Sequence, residues 1–300
     1  MKQFCLLTLI LLFMTGPLHS QIALSEEQYR VFDAKGNPST IAAVIERLDA
    51  VDVIFLGEQH DDAVGHAAQL DIFRRAIDTY LTKRKIALSL EMFERDVQIV
   101  LDEYLAGLIS ENHLILSSRA WTNYKTDYRP LVELAKEKKL PVIAANAPRR
   151  YVNMVSRNGR GALNGLSKDA KEWLAPLPFG EPSEAYAKKF RSLMGPSAEA
   201  QMGIENILAS QSLWDATMAD SIVRSLKKHD RPLVVHLNGS FHSENRLGAV
   251  DHLLRYRPKT RVLVVTIKYE DDFRSFDRAK HTDLGDFVLL TDAKQPRSRR

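Results

Sequence analysis

Five short apolar runs punctuate the chain: VDVIFLG (51–57), KIALSLEM (85–92), LPVIAAN (140–146), RPLVVHLN (231–238) and RVLVVTI (261–267). They are continuous rather than alternating, the pattern of parallel strands covered on both faces. FVLL (287–290) reads as an added edge strand. Between the runs, apolar residues recur every three or four positions. Val97, Val100, Leu101, Tyr104, Leu105 and Leu108 form one such helical stripe. Tyr128-Arg129-Pro130 opens another helix, with Pro130 suited to its first turn. Strands alternating with helices predict an α/β fold, a mainly parallel sheet flanked by helices.

The alternation stops between Tyr151 and Lys228, where no strand-like run occurs. Pro and Gly punctuate the first half, as in WLAPLPFGEP (173–182), and one long helical pattern follows from about Glu199 to Lys228. This predicts a small all-helical insertion domain. The expected organisation is a signal peptide over 1–20, an α/β core in two parts over 21–150 and 229–292, the helical insertion over 151–228, and a basic disordered tail over 293–300.

The N-terminal stretch MKQFCLLTLILLFMTGPLHS has the makings of a cleavable export signal. Lys2 gives the positive start, Phe4 to Met14 the apolar core, Gly16 and Pro17 the break, and Ser20 a small residue before the cut. The apolar run is well short of the roughly 20 residues that span a bilayer. Export to the periplasm or envelope is therefore expected. The only cysteine is Cys5, inside this signal, which excludes a disulfide framework or a thiolate site in the mature chain. Cys5 precedes the apolar core rather than marking its cleavage point, so no lipid anchor is expected.

The formal net charge is +4, but without Lys2 and the tail residues Lys294, Arg297, Arg299 and Arg300 it is −1. A nucleic-acid partner, which selects for basic patches on the fold itself, is not expected.

Ligands of open α/β sheets bind beyond the carboxyl ends of the strands. VDVIFLG leads to Glu58 and His60, and IALSL leads to Glu91. VIAA leads to Asn146 and then Arg149, and VVHL leads through Asn238 to His242. If the strands are parallel, these groups share one edge. Such a set can orient a histidine to activate water, with Glu58, His60, Glu91 and His242 catalytic and Asn146 and Arg149 supporting. Glu58, His60, Glu91 and His242 can alternatively bind a divalent metal. Asp61 and Asp62 read as caps of the following helix. His66 lies on the stripe of Leu70, Phe73 and Ile77 and reads either as a core histidine or as part of the site. His236, inside a strand, reads as structural. Gln211, Asp215 and Met218 share a helical face that suits a pocket wall. Trp121, Tyr124 and Tyr128 cluster in WTNYKTDYRP, a wall that would suit a flat apolar ligand such as haem; tyrosine is one of the residue types that ligate haem iron.

Six segments, in order, resemble the ChaN-like haem-binding uptake family of the group that includes Tiki proteins and erythromycin esterases. They are LGEQHDDAVGHAAQ (56–69), LEMFERDVQIVLDEYLAG (90–107), WTNYKTDYRPLVELA (121–135), VIAANAPRRYV (142–152), QSLWDATMA (211–219) and HLNGSFHSENRLG (236–248). The resemblance implies haem as cofactor, held between the subunits of a homodimer with tyrosine ligation. Tyr124, Tyr128 and Tyr151 are the candidate ligands, with Gln211 and Met218 as further candidate contacts. It also implies a link to iron uptake and to outer-membrane haem uptake machinery. The esterase and Tiki branches imply instead a hydrolase, an esterase or peptidase, built on the same Glu and His residues.

Overall fold

The computed structural model describes residues 24–195, 203–228 and 230–298. The signal-peptide expectation for residues 1–20 lies outside the described residues. No helix among the described residues is long and apolar enough to cross a membrane.

Eight strands form one sheet: β1 (Tyr29–Asp33), β2 (Pro38–Ser39), β3 (Val53–Glu58), β4 (Ile86–Glu94), β5 (Val142–Asn146), β6 (Leu233–Gly239), β7 (Val262–Glu270) and β8 (Phe287–Asp292). Their order is β2-β1-β8-β7-β3-β6-β4-β5. From β8 to β5 every neighbouring pair is parallel, and β1 runs antiparallel to β8 and β2. The fold is thus α/β with a mainly parallel sheet. FVLL does not form an edge strand: β8 lies between β7 and β1. The alternation in YRVFD was too short to show as a strand, and β1 covers the edge that β8 would otherwise expose.

The continuous apolar runs have the expected cause. On β3, Ile54 and Leu56 face a core with Ile72, Phe73 and Ala76 of the helix Ala63–Tyr80. Val53 and Phe55 face the opposite core with Met218, Ile222 and Leu226 of the helix Ile204–Leu226. Both faces of the strand are covered, so no polar alternation survives.

Between β5 and β6 the described residues form only helices and turns. Part of this segment has its own apolar clusters, one around Tyr151, Val155, Leu174 and Leu213 and one around Tyr186, Phe190 and Leu208. The second half of the helix Ile204–Leu226 belongs to the sheet instead, because its Met218–Leu226 face is a layer of the main core.

The basic tail does not end as a disordered appendage through Ser298. Asp62 and Arg297 form an antiparallel bridge, the Arg297 guanidinium lies 3.3 Å from the Tyr269 ring centroid, and Ser298 N donates to Asp61 O at 2.9 Å. The stabilising groups come from distant segments, so local composition alone misread this end.

Candidate functional site

The sheet brings the expected strand ends together. Glu58 of β3 lies opposite Gly239 of β6. Along β4 and β5 the register shifts between Leu90 and Glu94, after which Glu94 pairs with Asn146. Such irregularities re-aim side chains. Glu91, in the shifted stretch, accepts a hydrogen bond from Gly239 N at 2.7 Å.

Glu58 is buried, and its carboxylate organises the first half of the site. One oxygen lies 2.9 Å from His60 Nδ1 and accepts from the Tyr128 hydroxyl at 2.6 Å. The other accepts from Gln69 Nε2 at 2.7 Å and lies 3.3 Å from His66 Nδ1. Burial opposes ionisation, but the charge of His66 and the hydrogen bonds of both histidines outweigh it, so Glu58 is held well below the usual carboxylate range. Burial likewise pulls His66 down, yet the charges of Glu58 and Asp127 push it up to about 9. Asp127 lies 3.4 Å from His66 Nε2 and is itself held by Asn123 Nδ2 at 2.7 Å and the Ser298 hydroxyl at 2.8 Å. His66 is therefore an ionic partner of the site and not an apolar-stripe residue.

His242 organises the second half. Its Nδ1 lies 2.8 Å from Asp215 Oδ1 and its Nε2 3.9 Å from Glu91 Oε1. Burial disfavours its cation, but Asp215 and Glu91 raise its pKa to about 9. His236, by contrast, is pushed down to about 3 by burial and by the charge of His242. It is a neutral side chain facing Ser89 Oγ at 2.9 Å.

Two adjoining cavities open at this edge. The smaller, about 200 Å³, is lined among others by His60, Glu91, Asn146, Arg149, Trp214 and His242. The larger, about 860 Å³, shares His60, Glu94, Trp121 and Arg149 with it and adds Met92, Ala120, Arg119 and Arg150. A volume of this size suits a sizeable organic ligand. Trp121 stands edge-on to both His60 and Tyr128, with ring centroids 4.9 and 5.9 Å away. Of the expected set, His60, Glu91, His242, Asn146 and Arg149 share one cavity. Glu58 is not on its wall but acts behind it, through His60.

Several expectations need correction. Tyr124, Tyr128 and Tyr151 line neither cavity. The Tyr128 phenol is committed to Glu58, Tyr124 is packed against Phe93, and Tyr151 stacks on Trp173. Burial, then the Glu58 charge and hydrogen bond, push the Tyr128 phenol up, which opposes its ionisation to a tyrosinate ligand. Met218 is fully buried against the sheet, and Gln211 lines neither cavity. One turn of helix separates Met218 from the cavity wall, where Trp214 stands and behind which Asp215 holds His242. The metal set is not assembled either: among the described residues no group of three or more His, Cys, Asp or Glu side chains could hold a metal ion. The Glu58 oxygens are occupied by Tyr128, Gln69 and two imidazoles, and His242 Nδ1 by Asp215. Asp62 stands at the N-cap of the helix Ala63–Tyr80, and its carboxylate also accepts from the Thr291 hydroxyl at 2.6 Å.

The sequence pattern did not single out Asp127, Gln69 or Asn123, and gave Asp215 no role at His242. Asn123 precedes and Asp127 lies within a π-helical turn, Tyr124–Tyr128, a geometry that recurs at functional sites but has no dependable local signature. Asp215 did carry a signal, an acid in the middle of an apolar helix, which at full burial requires a partner.

The fold aligns with a structure of cofacial haem binding to ChaN of Campylobacter jejuni, at a TM-score of 0.67 and 20% identity, covering 89% of this chain and 98% of that one. A Bacillus cereus protein aligns at a TM-score of 0.50 and 10% identity, covering 87% and 94%. At these identities the alignments show the fold. No curated protein matches the chain. The model of one family, described as haem-binding uptake, Tiki superfamily, ChaN, matches residues 44–253, most of the chain, and the protein belongs to that family.

Proposed function

We propose that the protein is an exported haem-binding component of iron uptake, taking haem into the larger cavity at the strand ends and holding it against a second copy of the chain. The observation that carries this reading is the cavity itself. It has about 860 Å³ of space and a wall containing Trp121, Met92 and Ala120, in a member of a haem-binding family. His60 and Met92 on that wall are of residue types that ligate haem iron. Haem would supply an iron centre and a large flat apolar surface, and Trp121 would pack against that surface.

Titration of the apoprotein with haemin tests this. A saturable Soret shift is expected, lost or altered in His60→Ala and retained in Tyr124→Phe and Tyr151→Phe. No saturable shift in the wild type would refute it. Sedimentation with and without haemin tests the dimer, and fractionation of cells producing the full chain tests export.

A second reading has its own observation. His60 and His242, each held by a buried carboxylate, face the same small cavity with Glu91. This is the layout of a hydrolase in which His60 takes a proton from water and the protonated His242 gives one to a leaving group. A panel of esters and peptides tests it. Activity unchanged in Glu91→Gln and His242→Ala would remove it.

A further inference from the structure

The charged side chains around the two cavities are almost all neutralised by one another. Arg119 Nη2 lies 2.7 Å from Glu94 and 2.6 Å from Asp96. Arg150 Nη1 lies 2.5 Å from the other Asp96 oxygen, and its guanidinium carbon sits 4.5 Å from the Tyr151 ring centroid. Glu91 is matched by His242 at 3.9 Å and by Gly239 N. Two cations thus oppose two carboxylates at the rim, and inside, His242 stands between two carboxylates, Glu91 and Asp215. Arg149 stands outside this balance. It lines both cavities, its side chain is exposed, and no ion pair or side-chain hydrogen bond joins it to another described residue. The chain has placed a guanidinium where the cavities meet and given it no internal acceptor.

The backbone adds to the same field. Arg149 begins the helix Arg149–Asn158, whose N-cap, Pro148, supplies no side-chain bond to the first turn. The preceding residues Asn146 and Ala147 also line the smaller cavity. The positive end of that helix dipole therefore lies beside the guanidinium. Planar, forked donors of this kind match a carboxylate bidentately.

We infer that Arg149 is the anchor for a carboxylate of the ligand, so that the site selects a flat apolar molecule bearing an acidic side arm over its neutral counterpart. This deepens the haem reading and rests on it: the propionate groups of haem are such arms. Arg119 and Arg150 are less available, because recruiting either would leave the two carboxylates Glu94 and Asp96 with a single cation.

The test compares haemin with its dimethyl ester, in which both carboxylates are masked, by absorbance titration of wild type, Arg149→Leu and Arg149→Lys. Wild type is expected to prefer haemin by about tenfold, or ~1.4 kcal/mol. Arg149→Leu should lose about that factor for haemin and nothing for the ester, with Arg149→Lys recovering part of it. Arg149 is exposed and unpaired, so unfolding of the variant is not expected, and circular dichroism checks it. Equal loss for both porphyrins, or no loss for either, would overturn the anchor while leaving haem binding intact. Failure of wild type to bind either porphyrin would overturn the haem reading and the anchor together.

Discussion

Glu58→Gln is the sharpest perturbation of the buried network, because that carboxylate serves four partners. The amide keeps the volume but removes the charge and replaces one acceptor by a donor, which then faces Tyr128 and His60 or Gln69. Its largest consequence passes to His66. In the wild type the folded-state pKa of His66 is about 9 against an ordinary 6.5. A raised histidine pKa contributes stability that is fully present below about 6.5 and lost as pH rises through 9. Tenfold in a proton-binding constant is worth roughly 1.4 kcal/mol, which makes that contribution ~3 kcal/mol. In the variant Asp127 remains but the larger charge is gone, and burial moves His66 toward its neutral form. Urea unfolding at pH 6, 7.5 and 9.5 should therefore show the advantage of wild type larger by about 3 kcal/mol at pH 6 than at pH 9.5, whereas loss of hydrogen bonds alone would give a gap independent of pH. Glu58 itself is ionised in the folded and the unfolded chain across this window, so its depressed pKa matters only below the ordinary carboxylate range, where wild type loses stability as pH falls. A gap below about 1 kcal/mol at pH 6, or one that does not narrow with pH, would refute the assigned charges.

Three further outcomes follow from the same geometry. In Gly239→Ala the added methyl would stand 2.8 Å from His60 Nε2, so His60 must shift off Glu58; a loss of about 1–3 kcal/mol is expected, with weakened haemin binding, and unchanged haemin titration would count against His60 as a wall of the site. Asp215→Asn removes the main charge that raises His242, so the imidazole resonances of His242 should titrate well below 9 and report a neutral ring at pH 7.5; a titration still near 9 would assign the effect to Glu91 alone. Truncation after Gln295 removes the Ser298 bond to Asp127 and the Arg297 contacts with Asp62 and Tyr269, and should cost about 1–3 kcal/mol in urea unfolding; an unchanged midpoint would show that the tail only lies on the surface.

The apolar runs determined the sheet. A strand buried on both faces must be apolar throughout, so β3, β4, β5, β6 and β7 were legible in order, and their parallel direction placed His60, Glu91, Asn146, Arg149 and His242 on one edge. What the sequence could not carry was which partner each group takes. Glu58 became a positioning residue because Tyr128, Gln69 and His66, from two other helical segments, converge on it. His242 became a cation because Asp215 projects from a helix that enters the fold only after β5. The tyrosines looked available because aromatic spacing says nothing about which way a π-helical turn points its phenols. Met218 shared a stripe with Asp215, but the sheet ends one turn below the cavity, and that boundary is set by packing between segments far apart in the chain. Local pattern decides which residues are buried. Pairing among buried charges depends on the path of every other segment, and only the assembled structure decides it.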